Sequence, residues 1–262
     1  MLLEHKNAVI YGAGGAVGGG VARTFAREGA RVFLTGRTRA TLDAVAKDIT
    51  AAGGRADVAV VDALDERGVD AHAQAVVDEA GSLDISINLV TRGDVQGTPL
   101  IEMATDDFVR PVTTGLTATF ITARAAARHM VRQGSGVILA LDSGSAHGSP
   151  MMGGTGAADA ATDTLVRNLA MEVGPSGVRV VGLWAAGIPD TLAPDKLAAV
   201  NRNLTLDDAA LRGLLDQLAA MRMLRRSPTL AEVADAAAFL ASDRAAAITG
   251  TFVNVTGGIF AS

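Results

Sequence analysis

The chain contains no cysteine. That absence removes disulfides, thiolate metal sites and cysteine nucleophiles together. Its four histidines are scattered without H-x-x-x-H spacing, so no metal site is expected from them either. Lys and Arg form no run, and 23 basic against 28 acidic residues leave a formal net charge of −5, which argues against a nucleic-acid or anionic-membrane surface. A small molecule is the expected partner. No apolar run reaches the roughly 18 residues that a membrane-spanning helix needs. The mean hydropathy of +0.30 comes instead from Ala, Val and Leu dispersed among charges. Residues 1–6 carry no signal-peptide core before the first strand, so a cytoplasmic protein is expected. Aromatic residues make up only 3%, with a single tyrosine, Tyr11.

What is present is a chain of 262 residues, 49% hydrophobic with 30 Gly, enough for one large core. Apolar runs at residues 8–11, 31–35, 56–61, 83–90, 136–141 and 178–184 read as strands. Between them, apolar residues at helical spacing mark helices over 21–28, 42–49, 69–80, 108–132 and 157–173. Such alternation, with strands too apolar to expose a face, predicts a doubly wound α/β fold of the Rossmann type. Its parallel sheet is covered by helices on both sides, in a single domain. The alternation lapses over residues 188–228, a polar, helix-prone insert with Pro189 and Pro194 that is the candidate substrate lid. It resumes with a helix over 230–241 and a last strand over 251–255.

Gly12, Gly14, Gly15, Gly18, Gly19 and Gly20 lie between the first strand and the first helix. A turn there must be tight, and the helix N-terminus offers unpaired N–H groups to a pyrophosphate. The G-x-G-x-x-G spacing misses by one residue, at Val17, and the same glycines also suit close helix–strand packing. Arg37 follows the second strand, where a dinucleotide's adenosine ribose would lie. No acidic residue ends that strand, and a guanidinium suits a 2′-phosphate better than a free hydroxyl, so NADP(H) is expected in preference to NAD(H). An ordinary solvated loop charge is the other reading of Arg37.

At these residues the chain resembles the short-chain dehydrogenase/reductase family, across nearly its whole length. The family's T-G-x-x-x-G-x-G loop appears as Tyr11-Gly12-Ala13-Gly14-Gly15-Ala16-Val17-Gly18. Asp62, followed by Ala63, matches the adenine-contacting aspartate, and Asn88-Leu89-Val90-Thr91 stands where N-N-A-G is expected. Ala186-Gly187 replaces the proline–glycine turn, followed by Ile188 and by Thr191 at the spacing of the carboxamide-binding threonine. Ile248-Thr249-Gly250 and Val255-Thr256-Gly257-Gly258 complete the likeness. The resemblance implies a homotetramer paired through the helices over 108–132 and 157–173. Both are rich in alanine (Ala123, Ala125, Ala126, Ala127, Ala157, Ala158, Ala160, Ala161), which permits close approach or packing within the chain.

The family moves hydride to or from nicotinamide, with a Tyr handling the proton and a Lys one helical turn on lowering its pKa. Here the Y-x-x-x-K position reads Thr155-Gly156-Ala157-Ala158-Asp159, the Asn position reads Gly115, and Ser143 alone remains of the four. The expected reading is an NAD(P)(H)-dependent oxidoreductase of a carbonyl or alcohol with an atypical active site. Asp142, His147 and Arg92 are the nearby candidates to replace the proton relay. His147 is the favoured donor because it titrates near neutrality, whereas Asp142 reads as a turn residue and Arg92 as a rim charge. Asp159 is expected to accept ribose hydroxyls and to favour oxidised nicotinamide, or else to be a solvated first-turn residue. Two alternatives stand beside this. One is a catalytically inactive dinucleotide-binding protein, acting as a sensor or partner subunit. The other is non-redox elimination or isomerisation in the same pocket.

Overall fold

A computed structural model describes residues 1–201 and 206–261. Four residues of the 188–228 insert, 202–205, therefore lie outside the described residues. Among the described residues seven strands form one sheet: β1 (Asn7–Tyr11), β2 (Arg31–Gly36), β3 (Arg55–Val60), β4 (Ile85–Asn88), β5 (Gly136–Asp142), β6 (Val178–Trp184) and β7 (Phe252–Asn254). All pairings are parallel, in the order β3-β2-β1-β4-β5-β6-β7. Helices α1 (Ala16–Arg27), α2 (Arg39–Ala51) and α9 (Leu230–Ala241) cover one face. Helices α3 (Glu66–Ala80), α5 (Thr117–Gln133) and α6 (Thr155–Val173) cover the other.

The period of two in β1 divides its side chains between the layers: Ala8 and Ile10 join the α1 side, Val9 and Tyr11 the α5 side. Tyr11 thus ends a strand rather than sitting in the glycine turn. It is 2% exposed, and burial together with Asp70 pushes its phenol well above the usual range, so it is no proton donor for a site at the sheet edge.

The strand order reverses between β1 and β4, and this reversal opens a crevice beyond their carboxyl ends. Gly12 lies there at φ +78°, and a Cβ at this position would come within 2.6 Å of Leu89 O. A Cβ on Gly18 would come within 2.2 Å of Gly12 O, so α1 can start close under the turn only without one.

The helix expected over 108–132 is longer and broken: α4 (Thr105–Pro111) and α5 are joined by a wider π-helical turn, Val112–Leu116. Pro111 sits at the break, where it has no N–H to give the preceding turn. Within the insert lie α7 (Pro194–Val200) and α8 (Asp208–Ala220). Arg222, only 1% exposed, fastens this insert to the sheet edge. Its guanidinium donates to Thr256 O at 2.7 Å, to Ala186 O at 2.7 Å and to Leu218 O. One side chain thereby satisfies carbonyls of the turn after β6, of α8 and of the C-terminal loop. Arg222→Leu is expected to lower stability by about 2–3 kcal/mol in urea unfolding, because these carbonyls are left buried and unpaired, with Arg222→Lys recovering only part.

Candidate functional site

Two cavities open along the crevice and share the wall Leu89, Val90 and Thr91. The first, about 300 Å3, is lined by Gly12, Gly14, Gly15, Arg37, Asp62 and Ala63, among others. The first-turn N–H groups of α1 have no intrahelical partners, its cap residue Gly15 makes no side-chain bond, and that turn carries no acidic residue. Arg37 is exposed and, among the described residues, without an ion-pair partner. Asp62 accepts the Leu64 N–H at 3.0 Å, which holds the turn after β3 against the cavity. Gly14 leaves room for Thr41 Oγ1, 2.3 Å from where a Cβ would sit. An anionic, elongated ligand suits this cradle.

The second cavity, about 220 Å3, is lined by Val17, Asn88, Arg92, Asp94, Gly115, Asp142 and Ser143, with others. Asn88 is fixed by donating to Thr119 Oγ1 at 3.0 Å. A charged network begins in this lining, at Arg92, Asp94 and Ser143, and extends behind it to Asp159. Arg92 Nη1 donates to Asp159 Oδ1 at 2.6 Å, and Arg92 Nη2 lies 3.2 Å from Asp94 Oδ1. The second oxygen of Asp159 accepts from Ser143 Oγ at 2.6 Å and from Ser145 N at 2.9 Å. Burial opposes the Arg92 charge, but Asp94, Asp159 and Asp142 outweigh it and hold the guanidinium above its usual range. Arg92 reaches this position because residue 115 has no side chain: a Cβ there would lie 2.5 Å from Arg92 Cδ.

A family model described as enoyl-(acyl carrier protein) reductase matches residues 12–259. The chain belongs to the short-chain dehydrogenase/reductase family. It is 32% identical to the L-rhamnose 1-dehydrogenase (NAD(P)(+)) of Azotobacter vinelandii, over 99% of this chain and 98% of that protein. It is 28% identical to the 7alpha-hydroxysteroid dehydrogenase of Escherichia coli, over 98% and 94%. A solved structure of a 7 alpha-hydroxysteroid dehydrogenase, complexed with NADH and 7-oxo glycochenodeoxycholic acid, superposes with a TM-score of 0.81 at 28% identity, covering 98% of this chain and 94% of that one. The fold is also that of NAD+-bound xylitol dehydrogenase, with a TM-score of 0.86 at 24% identity over 98% of this chain and 100% of that one.

In the family's frame, the catalytic candidates separate. Ser143 lines the second cavity. Thr155 is 1% exposed, donates to Asp94 Oδ1 at 2.8 Å and does not line that cavity. Asp159 is 0% exposed; it is neither a solvated first-turn residue nor open to a ribose, because Arg92, Ser143 and Ser145 occupy its oxygens. Its charge is met by Arg92 at 2.6 Å, which cancels the expected pull on an oxidised ring. His147 is exposed and stacks on Phe260 with ring centroids 4.4 Å apart, away from the cavity lining. Of the expected dinucleotide residues, Val17 and Asn88 line the second cavity. Gly187, Ile188 and Thr191 follow β6 beyond Ala185, with Thr191 Oγ1 donating to Ile188 O at 2.9 Å.

Arg92 and Asp142 differ most from their sequence reading. Arg92 is no rim charge: its side chain is 19% exposed, at the centre of the network. The signal was available, since an arginine following the N-N-A-G position and a glycine at the Asn position complement one another in space, but only the fold brings them together. Asp142 makes the turn contact its sequence reading gave it, but it is buried, 3% exposed at the end of β5. Its Oδ1 accepts from Gly144 N at 2.9 Å, and its Oδ2 has no partner. Burial first, then the neighbouring Asp159, pushes its carboxyl up to about 9. The folded protein therefore keeps this proton up to about pH 9, whereas the unfolded chain releases it near the ordinary value of 3.8. The stability that the Asp142 proton contributes is therefore lost as pH rises through that window, by at most about 1.4 kcal/mol per pH unit. Thermal unfolding at a series of pH values should show Asp142→Asn gaining on the wild type from pH 4 towards pH 9. Parallel curves would contradict the buried acid.

Proposed function

We propose that the chain is an NAD(P)(H)-dependent oxidoreductase acting on an alcohol or carbonyl of a small molecule in the cytoplasm. NADP(H) is preferred, and the active site departs from the family's Tyr-Lys pair. The observation that carries this reading is the pair of adjacent cavities at the reversal of strand order, one lined by the glycine turn and Arg37, which suit an anionic dinucleotide, and one lined by Asn88 and Ser143. Gly12, Gly14, Gly15, Val17 and Gly18 would hold the phosphates through backbone N–H groups. Arg37 would meet the 2′-phosphate, Asp62 and Ala63 the adenine, and Asn88, Gly187, Ile188 and Thr191 the nicotinamide end. A bound nicotinamide supplies or accepts hydride. The chain's own residues shape the cavity, exclude water and direct hydrogen bonds at the reacting oxygen.

Residues 188–228 form the substrate lid in this reading, supported by the contact of the 94–97 loop with α7, where Gln96 N donates to Val200 O at 2.8 Å. Assembly as a homotetramer through α5 and α6 also belongs to it. All four alanines named for that role on α5 are buried within the chain. Ala157 and Ala160 on α6 are exposed, and Phe120 and Val131 on α5 and Met171 on α6 are exposed large apolar side chains available for contact.

The placement of Thr155 and Asp159 outside the cavity lining favours a second reading, a dinucleotide-binding protein without turnover. Absorbance assays with NADPH and a carbonyl panel, and with NADP+ and an alcohol panel, separate the two. Calorimetry tests the dinucleotide itself. NADPH should bind at least about 10-fold more tightly than NADH, and Arg37→Ala should remove that difference. Equal affinities, or an unchanged ratio in Arg37→Ala, would overturn the preference.

A further inference from the structure

Of the four hydroxyl-bearing residues lining the second cavity, Thr91, Thr119, Ser143 and Thr162, the last three differ in where their protons go. Thr119 donates to Gly115 O at 2.9 Å and Thr162 to Ala158 O at 3.0 Å, each bonded to a carbonyl of its own helical run. Ser143 donates instead to a carboxylate, Asp159 Oδ2, at 2.6 Å. That short bond is charge-assisted, and its acceptor is locked: Asp159 is 0% exposed and held by Arg92 and Ser145 N. A hydroxyl has one proton, so in the 2.7 Å contact between Ser143 and Ser145 the donor is Ser145. Ser143 Oγ is left with a lone pair for the cavity. An incoming O–H meets an acceptor there, whereas an incoming carbonyl oxygen meets like charge density.

We infer that Ser143 is the proton-accepting residue of an alcohol-oxidising site, with Asp159 behind it as the positioning residue that takes the relayed proton. The substrate class is an alcohol whose carbinol carbon carries a hydrogen. This rests on the dinucleotide reading above and gives it a direction. As the C–H electron pair leaves with its hydrogen as hydride to an oxidised nicotinamide dinucleotide, the C=O bond forms. The alcohol proton passes to Ser143 Oγ, and the Ser143 proton passes to Asp159 Oδ2. A carboxylate suffices as the final acceptor because a hydroxyl losing hydride becomes a protonated carbonyl, a far stronger acid than a carboxylic acid. When the product has left, water entering the cavity takes the proton back along the same path.

Neutron diffraction from deuterium-exchanged crystals of the full chain reads the first half of the claim. Deuterium on Ser143 should lie on the line to Asp159, and deuterium on Ser145 on the line to Ser143. A Ser143 deuterium aimed into the cavity or at Ser145 overturns it. Kinetics reads the second half, with NADP+ or NAD+ and the probes xylitol, L-rhamnose and cholate. Ser143→Ala and Asp159→Asn should each lower kcat by about 100-fold or more, with Ser143→Thr retaining most of it. The dinucleotide Kd, followed through the fluorescence of Trp184, should stay within about threefold of wild type. If Asp159→Asn does not fold, Ser143→Ala carries the test alone. Wild-type oxidation that survives Ser143→Ala within about threefold overturns the relay and leaves the dinucleotide reading intact. A wild type that oxidises none of the probes yet reduces their ketones overturns the direction, and one that does neither overturns the relay and the oxidoreductase reading together, while dinucleotide binding is read separately by its Kd.

Discussion

The ion pair between Arg92 and Asp159 is the contact around which the catalytic end of this molecule is arranged. Its 2.6 Å separation lies largely out of water, so neither charge is tolerable without the other. The pair constrains its neighbours in turn. Residue 115 can carry no side chain, Asp94 must close the other side of the guanidinium, and Thr155 turns to Asp94. Ser143 and Ser145 are drawn to the remaining oxygen of Asp159, and Asp142, placed beside that carboxylate, keeps its proton. Writing a lysine at residue 159 would set two cations against each other unless Arg92 and Gly115 changed too.

The other end of the crevice obeys a simpler constraint, that backbone must approach backbone. Gly12 against Leu89 and Gly18 against Gly12 leave no space for a Cβ, so β1, the turn and α1 come close to the end of β4. This keeps the two cavities adjacent, on a shared lining of Leu89, Val90 and Thr91. The missed G-x-G-x-x-G spacing matters little to this geometry, because the close approaches are made by the glycines at 12 and 18.

The fold was legible because it rests on local signals. Period-two strands such as residues 8–11, and helical spacing such as Val21, Ala22 and Phe25, are readable within a short window, and the strands agree with the structure to within a few residues at their ends. The break in the long helix was not read, although Pro111 announces it, because apolar spacing continues on both sides. At the site, single positions were legible and their partnerships were not. Residues 92, 115 and 159 are far apart in the chain, and each taken alone reads as a rim charge, a missing residue and a first-turn acid. Their meaning is a steric and electrostatic complement that exists only after β4, the π-helical turn and α6 have packed. His147 shows the converse: its chemistry suited a proton donor, but Phe260 and Trp184 hold its ring as an aromatic contact outside the cavity.

A double-mutant cycle on Arg92 and Asp159, read by urea unfolding of the wild type, Arg92→Met, Asp159→Asn and the double variant, tests the central claim most directly. If the pair organises the site, each single change costs about 3–5 kcal/mol, and the double variant recovers about 2–3 kcal/mol relative to their sum. Additive costs, with no coupling between the two positions, would contradict the account.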